Sequence, residues 1–156
     1  MGYTLFAVLA QPHLLEADPS WIADSRIIQL EQGFRMIPVT DCLYDNLAQQ
    51  QTPTAREDWS GPLSSSMQRL SEHGTVACVE ADFFGGIGDQ RCVVWHKETL
   101  VFGPLKASNA INKALRRLGV RKRVFIDEFD TIGLNKHRSN EEWLESARDA
   151  EIKDQK

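Results

Sequence analysis

Two short stretches concentrate the side chains that could do chemistry. Glu80 and Asp82 lie two residues apart in the run VEADFFGGIGDQRCVVW (79–95), and Asp89 follows just past its glycines. Asp127, Glu128 and Asp130 crowd a second stretch, IDEFDT (126–131). On a strand, residues i and i+2 project from the same face, so Glu80 and Asp82 make a pair of neighbouring carboxylates. Such a pair can divide into acid and base when its environments separate the two pKa values. It can equally hold an external cation or present negative charge to a basic partner. In a buried strand it must be paired or solvated, because an uncompensated buried charge is expensive. Arg91 is the nearest internal partner for it.

Catalysis asks for more than acids. No spacing brings a nucleophile or a histidine beside these carboxylates, and His13, His73, His96 and His137 form neither HxH nor HExxH. His96, on an expected strand, reads as a half-exposed packing residue. The chain therefore leans away from an enzyme and offers no catalytic residue and no metal ligand.

The glycines Gly85, Gly86 and Gly88 invite comparison with a phosphate-binding loop. Such a loop needs a strand, a glycine turn and then a helix whose N-terminus faces the phosphate. Here the turn leads into RCVVWH, which is β-branched and aromatic like a strand. No GKS or GKT follows to supply the lysine and the hydroxyl. The expectation is a hairpin whose loop needs positive φ at these glycines, with no nucleotide and no other cofactor. Phe83 and Phe84 would cover the end of the core.

The elements around these stretches must position them. YTLFAVLA (3–10) reads as a buried strand ended by Pro12. SRIIQL and FRMIPVT flank EQG, a hairpin with Gly33 in the turn, and Pro38 places the second strand at an edge or ends it early. TDCLYDNLAQQ reads as a helix capped by Thr40 or Asp41, with Cys42, Leu43 and Leu47 along one side. Residues 49–61 are polar and turn-rich, and read as a loop that could take part in binding. PLSSSMQRLSEHG is a second helix with Met67 and Leu70 inward, stopping at Gly74. Strands follow at TVACVEAD (75–82), RCVVWHK (91–97) and TLVFG (99–103).

SNAINKALRRLG is the clearest helix, with Ser108 as its cap, Ile111, Leu115 and Leu118 along one side, and Gly119 at its end. RVFIDEFDTIGL reads as a short strand running into a helical turn. SNEEWLESARDAE opens with a capping box, Ser139 with Glu142. The ordering predicts a single α+β domain over residues 1–147, a mainly antiparallel sheet with helices packed on one face. Residues 148–156 read as a charged, frayed tail.

Composition narrows the class of partner. The 156 residues are 42% hydrophobic and 26% charged, the mix of an ordinary globular domain. A net charge of −4 disfavours nucleic-acid binding, which depends on neutralising phosphates. The one basic run, KALRRLGVRKR (113–123), reads as a solvated helix face meeting DEFD and the acidic last helix, with no interleaved aromatics to stack on bases. Leu5–Ala10 is apolar but too short for a signal core or a membrane span and lacks preceding basic residues. MGYTLF carries Gly2, but Phe6 stands where a myristoylation site has a small residue. Cys42, Cys78 and Cys92, an odd number without CxxC, read as reduced buried thiols. Together these predict a cytoplasmic protein without membrane contact. If the hairpin is symmetric about Gly85 and Gly86, Cys78 and Cys92 come opposite or nearly so.

VEADFFGGIGDQRCVVW, AINKALRRLGV and DEFDTIGLNKHR together resemble small uncharacterised bacterial proteins of the immunity type found in polymorphic toxin systems, over about residues 76–143. The resemblance implies a rigid domain that occludes a cognate toxin. Acidic side chains at Glu80, Asp82, Asp89, Asp127, Glu128 and Asp130 would steer it to a basic toxin domain. If both acidic stretches share one surface, they present a single negative patch. The alternatives are a small hydrolase or metal-dependent enzyme using the acids around the hairpin, and a structural or regulatory subunit using the same exposed acids.

Overall fold

The computed structural model describes residues 2–14, 25–41, 43–45, 63–84 and 87–154, the last four without their side chains. Cys42, Leu47, Trp21, Trp59, Gly85, Gly86 and the 49–61 segment lie outside the described residues.

Six strands form one antiparallel sheet: β1 Gly2–Ala10, β2 Ile28–Gln29, β3 Arg35–Pro38, β4 Thr75–Phe84, β5 Ile87–His96 and β6 Thr99–Ala107, in the order β2–β3–β1–β4–β5–β6. Helices α1 Ser64–Leu70, α2 Ala110–Leu118, α3 Glu128–Thr131 and α4 Asn140–Asp154 complete a single α+β domain. The β2–β3 hairpin turns on Gln32 and Gly33, both left-handed, and β3 ends at Pro38. Thr40 caps the next helical segment, its hydroxyl accepting from Leu43 N–H at 3.1 Å.

β1 is apolar on both sides, and this decides its place at the centre. Its odd residues Leu5, Ala7 and Leu9 join Ala77, Val79, Ala81, Cys92 and Val94 under Ile111, Ala114, Leu115 and Leu118 of α2. Its even residues Val8 and Ala10 join Val76, Cys78 and Val93 under Leu43, Leu63 and Met67. The larger helical layer, α2 with α3 and Trp143 of α4, does occupy one face. The other face is covered as well, because a strand apolar on both sides exposes apolar surface unless each side is covered. α1 supplies that second cover.

β4 and β5 run further toward their turn than expected. Gly88 is therefore a strand residue opposite Phe83 rather than a loop residue with positive φ. What demands glycine there is close approach: an added Cβ would overlap the Asp82 carbonyl oxygen. The register also separates the two cysteines. Cys78 pairs with Val93 and Val79 with Cys92, so the thiols lie one step out of register and on opposite faces, in different core clusters. They do not face each other, and burial pushes the Cys92 thiol up to about 11 against a smaller lowering by Lys113.

Three local expectations also change. Asn109, not Ser108, precedes α2, and the Gln90 side chain of β5 accepts from Ile111 N–H at 2.9 Å in place of a local cap. Residues 124–127 form a turn instead of a strand, and the short α3 follows. The charged tail expected from residue 148 is helical, since α4 continues to Asp154. Half of the expected capping box of α4 forms, Ser139 Oγ accepting from Glu142 N–H at 3.2 Å, while the Glu142 carboxylate reaches one residue further and accepts from Arg138 N–H at 2.6 Å.

Candidate functional site

Strand alternation places Glu80 and Asp82 on the face opposite α2, because their neighbours Val79 and Ala81 are buried beneath that helix. Register sets Phe6, Glu80, Arg91 and Lys106 in one row across the sheet. The next row holds Thr4, Asp82 and Asp89. Arg91 thus stands opposite Glu80, as the sequence suggested. Asp82 and Asp89 are like charges directly opposite each other, an arrangement that costs stability. Lys106 Nζ, 3.7 Å from Asp89, offsets part of this, but both side chains are about half exposed and the pair is worth little. Among the described residues no ion pair engages Glu80 or Asp82.

Where β3 leaves the edge of β1, the start of α4 takes its place. Asn140 Oδ1 accepts from Phe6 N–H at 3.1 Å, and its amide donates to the carbonyls of Phe6 and Val39 at 2.9 and 3.0 Å. Thr4 N–H donates to the Arg138 carbonyl at 2.8 Å. This stitching closes an open depression of about 190 Å³ with Phe6 and Val39 in its wall and Asp41, Glu80, Asp82 and Glu141 around it. The sequence reading missed Asp41 and Glu141. Neither lies near Glu80 in the chain, and the Asn140 and Arg138 contacts bring the start of α4 to β1.

The second acidic stretch goes elsewhere. Phe129 packs edge-on against Tyr3 at 5.5 Å, in the cluster under α2, so Asp127, Glu128 and Asp130 belong to the opposite side of the sheet from Glu80 and Asp82. The single negative patch does not form. Asp127 caps α3, one oxygen accepting from Asp130 N–H at 2.9 Å and the other from the Asn112 amide at 3.1 Å. Glu128 is buried, and its Oε1 accepts from Arg116 Nε at 2.8 Å. Burial alone would raise the Glu128 carboxyl; the Arg116 hydrogen bond, a backbone hydrogen bond and the charges of Arg116 and Lys122 outweigh it and hold it below the usual carboxylate range. Desolvation, with the nearby Asp127 charge, raises Asp130 instead.

The basic run meets DEFD through Arg116, as expected, while Arg117 lies 4.5 Å over the Phe102 ring. Phe102, Lys113, Arg116 and Arg117 line a second open depression of about 370 Å³ between α2 and β6. His13 Nε2 donates to the His73 carbonyl at 3.2 Å, His96 shares a hydrogen bond with Thr75 Oγ1 at 2.8 Å, and His137 stacks edge-on with Trp143 at 4.5 Å. Among the described residues no group of His, Cys, Asp and Glu is arranged to hold a metal ion, and no helix is long and apolar enough to cross a membrane. The chain matches no family profile, no curated protein and no solved structure.

Proposed function

We propose that the protein acts by binding, as an immunity-type domain that occludes a basic toxin domain in the cytoplasm. The reading rests on the depression ringed by Asp41, Glu80, Asp82 and Glu141. Its acids stand on a continuous antiparallel ladder and on a helix end stitched to that ladder, so they are positioned before any partner arrives. Its size suits one lysine or arginine side chain, with Phe6 and Val39 against the aliphatic stem and the carboxylates around the charged head. Such an anchor would sit inside a wider contact of about 800 Å² per partner. The Asp82–Asp89 repulsion supports the same reading, because a partner's cation would relieve it. Asp127 and Glu128, committed to the fold, fall outside this surface.

Asp82→Lys and Asp82→Asn separate binding from folding. Both should keep the wild-type circular dichroism, and the Asn variant should melt no lower than wild type, because one of two opposed charges is gone. The reading frame next to this gene is where a cognate toxin domain would be sought; in stopped flow with such a domain, Asp82→Lys should slow association about tenfold or more at low salt, and the difference should shrink as salt rises. Unchanged association would remove the depression from the mechanism. Turnover of a small substrate, lost in Glu80→Gln with folding intact, would replace the binding reading with the enzyme one.

A further inference from the structure

The turn between α2 and α3 carries Val124, Phe125 and Ile126 at 78%, 100% and 38% exposure. Arg121, Lys122 and Arg123 precede them directly, all exposed. Water-facing apolar side chains are common singly, but three in succession, one of them a wholly exposed phenylalanine, are not. The turn is tied down at both ends. The Gln32 side chain donates to the Arg121 carbonyl at 2.7 Å and accepts from Arg121 N–H at 3.1 Å. Arg123 N–H donates to Thr131 Oγ1 at 3.0 Å, and Phe125 sits at φ +71°, a region that bulky residues rarely adopt. The apolar tip is thus held outward by its anchors.

We infer that this turn is a peripheral membrane-docking element, with Phe125 and Val124 entering the interfacial region of an anionic bilayer and Arg121, Lys122 and Arg123 meeting its phosphate headgroups. Charge and shape together favour a lipid surface over a protein. A protein interface needs an extended apolar core within a polar rim. Here the apolar surface is a small projection with cations at its base. A bilayer asks for no more than shallow apolar insertion combined with diffuse positive charge. Asp127 and Asp130 follow the turn and oppose the attraction, but Asp127 is held by the Asp130 N–H and the Asn112 amide. The sequence expectation of no membrane contact rested on the lack of a spanning segment, a leader and a myristoylation pattern, and a docking turn would depart from that expectation while needing none of the three.

Co-sedimentation of the full chain with phosphatidylcholine vesicles, with and without phosphatidylglycerol, tests this. Wild type should partition onto the anionic vesicles and not onto the neutral ones, and added salt should release it. Phe125→Asn suits the measurement because asparagine tolerates the left-handed backbone, so the fold is kept while the apolar tip is removed. Its partition should fall about tenfold or more, and Lys122→Glu should give a comparable loss. Asp82→Lys, on the other side of the sheet, should not lower vesicle binding, so this inference and the toxin-binding reading can fail separately. No binding to anionic vesicles, or binding undiminished in Phe125→Asn, would overturn the inference. Altered association with a protein in Phe125→Asn, without vesicle binding, would assign the turn to a protein interface instead.

Discussion

The β4–β5 hairpin carries three carboxylates between Glu80 and Asp89 and the α3 turn three between Asp127 and Asp130, yet the fold treats them in opposite ways. Around α3, one acid caps a helix, one is buried against Arg116, and the third is partly desolvated beside the first. On the hairpin, Glu80 and Asp82 face outward into a depression, and Asp89 meets only a half-exposed lysine. Acid density in a sequence therefore does not mark a surface. What separates the regions is whether a donor from elsewhere in the fold reaches the carboxylate. Asn112 and Arg116 reach the α3 turn because α2 lies beside it.

The sharpest way to break this contrast is at the hairpin backbone. Gly88→Ala forces a Cβ onto the Asp82 carbonyl, so the ladder must part where the outward acids stand. A loss of about 2–3 kcal/mol in urea unfolding is expected. A neutral result would mean that the hairpin is looser than a rigid binding platform requires.

Glu128→Gln tests the committed side. It keeps the shape but removes the charge facing Arg116, and should cost about 1–3 kcal/mol at neutral pH. The folded-state pKa of Glu128 is lowered, so its contribution is present above the unfolded pKa and is lost as pH falls through the folded one. The gap between variant and wild type in thermal melts should accordingly close on acidification. A pH-independent gap would point to packing rather than charge.

The smallest effect has the opposite sign. Asp130 is raised by desolvation and by Asp127, so its ionised form is disfavoured in the folded state. Asp130→Asn should raise the melting temperature slightly at neutral pH, and the advantage should disappear below the unfolded carboxylate range, where wild type is protonated in both states. A destabilised variant would show that Asp130 does structural work like its neighbours and is not the strained member of the turn.

Local patterns were legible in the sequence wherever their cause was local. The apolar run of β1, the EQG hairpin, the Ile111–Leu115–Leu118 stripe and the Ser139 cap of α4 each follow from neighbours a few residues apart, and each stands in the structure. The Glu80–Asp82 pair was equally readable, since period two puts both on one face of any strand. Register lay beyond reach: a one-residue offset sends a side chain to the other face, so Cys78 and Cys92 could be placed near one another but not assigned to opposite clusters. The role of Gly88 was hidden for the same reason, because its neighbour is a backbone atom across the ladder. Asp41 and Glu141 join Glu80 and Asp82 through the β3–β1 pairing and through Asn140, whose hydrogen bonds span more than a hundred residues of chain. The opposite fates of the two acidic stretches were decided there too, by which helix packs beside each, a matter of tertiary contact that no local spacing encodes.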